Sequence, residues 1–264
     1  MSAIEQVAHA RRVHYPESDG KPMGETDHHR NLMTDLIFAL RWFLVNIQAY
    51  VAGNLFVYYQ EGNPKATVAP DVFVILGVPQ RQRRVYQSWK EGGRLPDVVI
   101  ELTSKRTLKD DQERKPTIYA QLGVHEYFLF DPFGDYLQPQ LQGFGLVNGA
   151  YERMREFPLR SAVLGLELRQ EDNALRLYNP KTGERLPTSD EEVLARRAAE
   201  AARNEAEINL LREVEVRREL EARLRAEAEA RREAEARAAA LEAELQRLRA
   251  ERANPERPSD HSTK

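Results

Sequence analysis

From Asp190 to Arg252 the chain contains neither glycine nor proline, and alanine, glutamate, arginine and leucine predominate. Nothing there interrupts a helical backbone, so the stretch predicts one helix far longer than those of ordinary globular domains. Leu210, Leu224 and Leu245 fall at heptad position a, with Leu220, Leu241 and Leu248 at d. Arg203, Arg217 and Arg231 also fall at a, and Glu213 and Glu227 at d. The seam is therefore patchy. It fits a modest coiled coil and also a solitary helix stitched by its own charges, and the coiled coil is the reading adopted.

This segment divides the 264 residues. The expected organisation is a mobile leader at 1–24, a globular domain at 25–188, a helical extension at 189–252 and a disordered tail at 253–264. The net charge of -3 hides a split: 16 basic and 19 acidic residues lie from Ser189 onward, leaving 23 of each before it. The domain is electrically neutral, so charge alone gives little support for nucleic-acid binding. There is no cysteine, which excludes disulfides and thiolate metal sites and suits a cytoplasmic location. Leu36 to Val51 is apolar but broken by Arg41, Asn46 and Gln48, so it reads as an amphipathic helix and not a membrane span. The first twelve residues lack the apolar core of a signal peptide.

Within the domain, Thr26 or Asp27 caps a helix expected to run from about His28 to Tyr50, with Leu32, Leu36, Leu40, Phe43, Leu44 and Ile47 on one stripe. Strands are expected at 55–60 and 71–76, joined by a hairpin-like reversal at Glu61-Gly62-Asn63-Pro64, and then at 97–102. A helix beginning near Pro116, with Lys115 extended outside it, ends at Gly123 before a strand at 126–130. Shorter strands follow at 136–141, 143–147, 151–156, 164–169 and 175–178. A mixed sheet with one long and one short helix against it is the economical arrangement.

Chemistry centres on Glu101. It interrupts the apolar run Val98-Val99-Ile100-Glu101-Leu102, and a carboxylate so buried must be paired or metal-bound, because desolvating it alone costs several kcal/mol or forces it to take a proton. A second acid, Asp71, opens another apolar run in Pro70-Asp71-Val72-Phe73-Val74-Ile75-Leu76. Two acids on two buried strands suggest a metal site. The bland alternatives stay open: Asp71 capping a turn, and Glu101 neutralised by a structural lysine such as Lys115. Asp97 also follows a proline, but four strand residues, about 13 Å, separate it from Glu101, too far for one ion.

Taken together, Glu25-Thr26-Asp27-His28-His29-Arg30, Val68-Ala69-Pro70-Asp71, Pro96-Asp97-Val98-Val99-Ile100-Glu101-Leu102-Thr103-Ser104, Lys115 with Tyr119, and Gly123 through Pro132 occur in an order that resembles the Uma-two family of restriction endonucleases, a branch of the PD-(D/E)xK nuclease superfamily. The resemblance implies an α/β, restriction-endonuclease-like mixed β-sheet flanked by helices. It further implies DNA as substrate and Asp71 and Glu101 holding Mg²⁺ or Mn²⁺. In the superfamily a lysine follows the second acid by two residues, whereas this chain has Thr103. Lys115 matches the position from which the family recruits a lysine, with Lys105 as the fallback; His29 is an auxiliary ligand or phosphate contact, or simply a helix-end histidine. Tyr119 reads as core and Asp131 as a turn residue. Function then divides between an endonuclease, whose tail makes it a dimer, and a non-catalytic assembly or regulatory protein that binds a partner through that tail.

Overall fold

The structure, a computed structural model, describes residues 13–18 and 26–253. The described residues fall into two compact units, the first ending at Leu194 and the second beginning at Ala195.

In the first unit, Thr26 is the N-cap of helix α1 (Asp27–Phe43), its hydroxyl accepting from the His29 N–H at 3.2 Å. The apolar stripe buries Leu32, Leu36 and Leu40. The helix stops seven residues short of the expected end at Tyr50, and Ile47 lies outside it, 53% exposed. Ala49-Tyr50-Val51-Ala52 instead forms strand β1 (Ala49–Ala52), wholly buried and paired antiparallel with β4 (Val72–Leu76). Helical periodicity in the sequence continued past the true end because an adjacent buried strand supplied the same apolar residues.

The expected hairpin between 55–60 and 71–76 does not form. Strand β2 (Val57–Tyr58) pairs with β3 (Thr67–Val68) antiparallel and with β5 (Tyr86–Gln87) parallel in a small separate sheet. Strand β4 then pairs antiparallel with β6 (Val98–Leu102), which lies parallel to β7 (Glu126–Phe130). The link between these parallel strands is a π turn (Asp110–Arg114) running into helix α2 (Lys115–Gln121). Strands β8 (Leu141–Val147) and β9 (Ala150–Arg153) complete a six-stranded sheet of order β1-β4-β6-β7-β8-β9. Strands β10 (Leu159–Ser161), β11 (Leu166–Glu171) and β12 (Ala174–Tyr178) form a third, antiparallel sheet. The strand expected at 136–141 is a loop up to Leu141, because the fully buried Asp131 carboxylate accepts the backbone N–H groups of Tyr136 and Leu137 at 2.6 and 3.0 Å. The same carboxylate accepts from Phe133 and Gly134, which makes Asp131 the turn residue expected.

Alternation along the central strands separates two cores. Val72, Val74, Val98, Ile100, Phe128 and Phe130 pack with α1 and the β10–β12 sheet. Phe73, Ile75, Val99, Tyr127 and Leu129 pack with Tyr119 of α2 and with Val57, Val68 and Tyr86 of the small sheet. By that alternation Glu101 belongs to the second face, next to α2.

Residues 13–18, inside the expected leader, lie against this domain: Tyr15 contacts the rings of Tyr58 and Trp89, and the Tyr58 hydroxyl donates to the Pro16 carbonyl at 2.6 Å. The rest of the leader and residues 254–264 fall outside the described residues.

The second unit is the greater part of helix α3 (Ser189–Ala253), 65 residues with glycine and proline absent from its span. Its leucines at heptad positions are exposed in the single chain. Among the described residues no helix is long and apolar enough to cross a membrane.

Gly53 sets the approach of the β1–β2 link to the start of β4. A Cβ there would lie 2.0 Å from the Asp71 carbonyl oxygen and 2.8 Å from the Ile37 side chain. Gly53→Ala is therefore expected to destabilise the domain by about 1–3 kcal/mol through overpacking, read as a lower midpoint in chemical denaturation; an unchanged midpoint would show that this contact relaxes freely.

Candidate active site

The register of β4 on β6 brings the two sequence-predicted acids together. Val72 faces Ile100, so Asp71 and Glu101 fall one step further along adjacent strands. The Asp71 N–H donates to Glu101 Oε2 at 3.2 Å, and the Leu102 N–H donates to Asp71 Oδ2 at 2.8 Å. Backbone groups that would otherwise extend the ladder thus clamp both carboxylates. Glu101 is fully buried, whereas the Asp71 side chain keeps 16% of its surface exposed.

Lys115 closes the cluster. Its ammonium lies 2.9 Å from Glu101 Oε2 and 2.8 Å from Asp111 Oδ1, with the side chain 10% exposed. It gets there because its backbone is helical (φ -60, ψ -47) and not extended as expected: the preceding π turn already carries the chain in helical geometry. The Lys115 N–H bonds to the Asp110 carbonyl, five residues back. Pro116 has no N–H to offer the Asp111 carbonyl in the next such bond, and the buried Tyr127 hydroxyl donates to that carbonyl instead, at 2.7 Å.

Two participants escaped the sequence reading. Asp111 is fully buried and lies four residues before Lys115, so the spacing D-x-x-x-K on one helical face was the available signal. Tyr119, read as core, does lie in the core, but its hydroxyl donates to Glu101 Oε1 at 2.7 Å. Of the auxiliary candidates, His29 is brought in from α1, with Nε2 3.7 Å from Asp71 Oδ1, while Lys105 is exposed. His28 turns elsewhere, to the Asn173 carbonyl at 2.8 Å. Asp97 accepts from the Leu76 N–H at 2.7 Å and faces His125, a strand-start role.

Electrostatics follow from this geometry. Burial pushes the Glu101 carboxyl well above its ordinary range, against the pull of Lys115, and the negative charges of Asp71 and Asp111 add to the rise. Burial raises Asp111 as well, again opposed by Lys115. Burial also works against ionised Asp71, but His29, Lys115 and the Leu102 N–H outweigh it and hold this acid below its usual value. Lys115 is buried too, yet Glu101, Asp111 and Asp71 hold its ammonium charged.

The donor set suits a hard divalent cation. Three carboxylates against one ammonium leave two formal negative charges when all are ionised (1 − 3 = −2), and the oxygens are those Mg²⁺ and Mn²⁺ prefer. The Thr103 hydroxyl is buried with no hydrogen-bond partner among the described residues, and strand parity puts it on the Glu101 side. Among the described residues no three histidine, cysteine or acidic side chains converge into a ready-made metal cage. Mg²⁺ does not require one, since it binds through one or two carboxylates with water and phosphate completing the shell.

The α/β domain thus has a mixed sheet covered on both faces and an acid–acid–lysine cluster beside its parallel crossover, the arrangement that the family resemblance implies. The sequence profile of the Uma2 family, described as "Putative restriction endonuclease", matches residues 4–172, and the chain belongs to that family. Among solved structures it is similar to one from Anabaena variabilis ATCC 29413, described as "a putative nuclease belonging to DUF820", at 16% identity and a TM-score of 0.39, covering 54% of this chain and 75% of that one. No curated protein matches the sequence.

The Tyr119 hydroxyl is the donor facing Glu101 Oε1. Tyr119→Phe is expected to cost about 1–3 kcal/mol of unfolding free energy, the range for stripping a partner from a buried polar group. Thermal and chemical denaturation measure this, and a melt equal to wild type would mean that the bond does not hold Glu101.

Proposed function

We propose that this protein is a divalent-metal-dependent endonuclease hydrolysing DNA phosphodiester bonds, with Asp71 and Glu101 holding Mg²⁺ or Mn²⁺ and Lys115 as the catalytic cation. The observation that carries the reading is the Lys115 ammonium 2.9 Å from Glu101, in a chain that has Thr103 where the superfamily lysine would stand. A hydroxyl cannot supply positive charge, and the helix supplies it instead. The bound ion lowers the pKa of a coordinated water and offsets charge on the phosphate. Asp71, the more accessible acid, and Glu101, oriented by Tyr119, would hold the ion between them. Lys115 presents a fixed charge to the phosphate as negative charge builds there, and needs no reorganisation because Asp111 already holds it. Asp111 is then a positioning residue. His29 is placed to contact phosphate or support Asp71.

The test pairs Mn²⁺ calorimetry with plasmid nicking on the full chain. Asp71→Asn is expected to lose both Mn²⁺ binding and nicking. Lys115→Met should keep Mn²⁺ binding but lose nicking by on the order of 100-fold or more, as for removal of a preorganised charge. Because that variant strips a buried cation from two acids, its folding is checked by melting before assay. Lys105→Met should change little. Undiminished nicking by Glu101→Gln, or equal Mn²⁺ affinity in wild type and Asp71→Asn, overturns the assignment.

A further inference from the structure

We infer that helix α3 is the docking surface for a second copy of this chain, and that the two copies pair antiparallel about a two-fold axis near Glu215. The large apolar residues of the helix are not spread evenly. Leu210, Leu211, Val214, Val216, Leu220 and Leu224 lie within fifteen residues, 40–64% exposed, and from Arg225 to Ala240 the only apolar residue is alanine. A helix with a solvated apolar cluster of this kind gains by burying it against another.

Charge complementarity selects the partner and its direction. In a parallel pair each a and d residue meets its own equivalent, so Arg203, Arg217 and Arg231 would each face an identical arginine, and Glu213 and Glu227 identical glutamates. In an antiparallel pair position a meets position d. With the axis near Glu215, Leu210 lies opposite Leu220 of the second copy, Arg217 opposite Glu213, Arg203 opposite Glu227 and Leu224 opposite Ala206. At the flanking positions Val214 and Val216 each meet their own counterpart across the axis. Moving the axis half a heptad, to between 218 and 219, sets Leu210 against Glu227, Leu224 against Glu213 and Arg217 against Leu220. Moving it to residue 222 restores Arg–Glu pairs but brings Glu221 against Glu221 and Arg223 against Arg223. Of these three arrangements, the first sets leucine against leucine and arginine against glutamate in the seam while keeping identical charges away from the axis. In the single chain the same charges are spent on a loose pair, Glu213 to Arg217 at 3.5 Å with both side chains about 70% exposed.

The chain has no cysteine, so introduced thiols report unambiguously. Full-length Leu210→Cys and Leu220→Cys are oxidised separately and as an equimolar mixture. The inference expects a disulfide-linked dimer in the mixture and its loss in either variant alone, since ten residues of helix, about 15 Å, separate like sites from contact. Val214→Cys leaves both leucines in place and is expected to link to itself, which a parallel pair forbids because its e positions lie on opposite sides. Self-linking of Leu210→Cys and Leu220→Cys, each alone, establishes the parallel dimer and overturns the inference. So does the absence of any linked species together with a single-chain mass in sedimentation across a concentration series.

Discussion

The Lys115 ammonium, held between Glu101 and Asp111, is the interaction on which the domain's centre depends. Two fully buried carboxylates, Glu101 and Asp111, with the partly exposed Asp71 beside them, need a cation among them, since desolvation otherwise drives the buried pair to take up protons. Lys115 supplies that cation from helix α2, which also provides Tyr119, while Asp111 comes from the π turn before it. Helix α2 and the π turn before it therefore fasten the parallel crossover to the sheet through charge as well as through apolar packing. A buried ion pair of this kind is not an efficient source of stability, because desolvation offsets most of the Coulomb gain. Its retention in the core is easier to understand if the charges have work to do, which is the reading proposed for them.

The geometry around the lysine is built from backbone irregularities that compensate one another. The π turn brings Lys115 into helical conformation before a proline, against that residue's ordinary preference. Pro116 removes a donor, and Tyr127 from the neighbouring strand replaces it. On the other side, Gly53 leaves room for the β1–β2 link to pass directly over the Asp71 carbonyl, so that Asp71 can turn its carboxylate to the Leu102 N–H. The π turn and the Gly53 link thus depart from regular form where the lysine and Asp71 have to be positioned.

The helical extension follows other physics. Its composition satisfies helix propensity along its whole length while leaving its leucines exposed. The alternation of leucine with arginine at a, and of leucine with glutamate at d, is poor as a parallel seam and complementary to itself when reversed. That pattern is what the inferred antiparallel pairing rests on.

By itself the sequence determined the long helix, a cap at Thr26 or Asp27, the buried strands holding Asp71 and Glu101, and the family motif order that pointed to Lys115. These are local or near-local signals: breaker residues, apolar runs and an acid out of place among aliphatics. It did not determine where α1 ends, which strands pair, or which other residues join the cluster. Ala49 to Ala52 reads equally as helix or strand until β4 is beside it, and the 55–60 segment has no hairpin partner until the small sheet assembles. Asp111 stands among the charged neighbours Lys109, Asp110, Glu113 and Arg114, with no apolar run to set it apart, and Tyr119 reads like any core aromatic. The crossover between β6 and β7 carries Lys115 and Tyr119 to Glu101, because contacts between residues distant in sequence are set by strand register and packing, which no local pattern encodes.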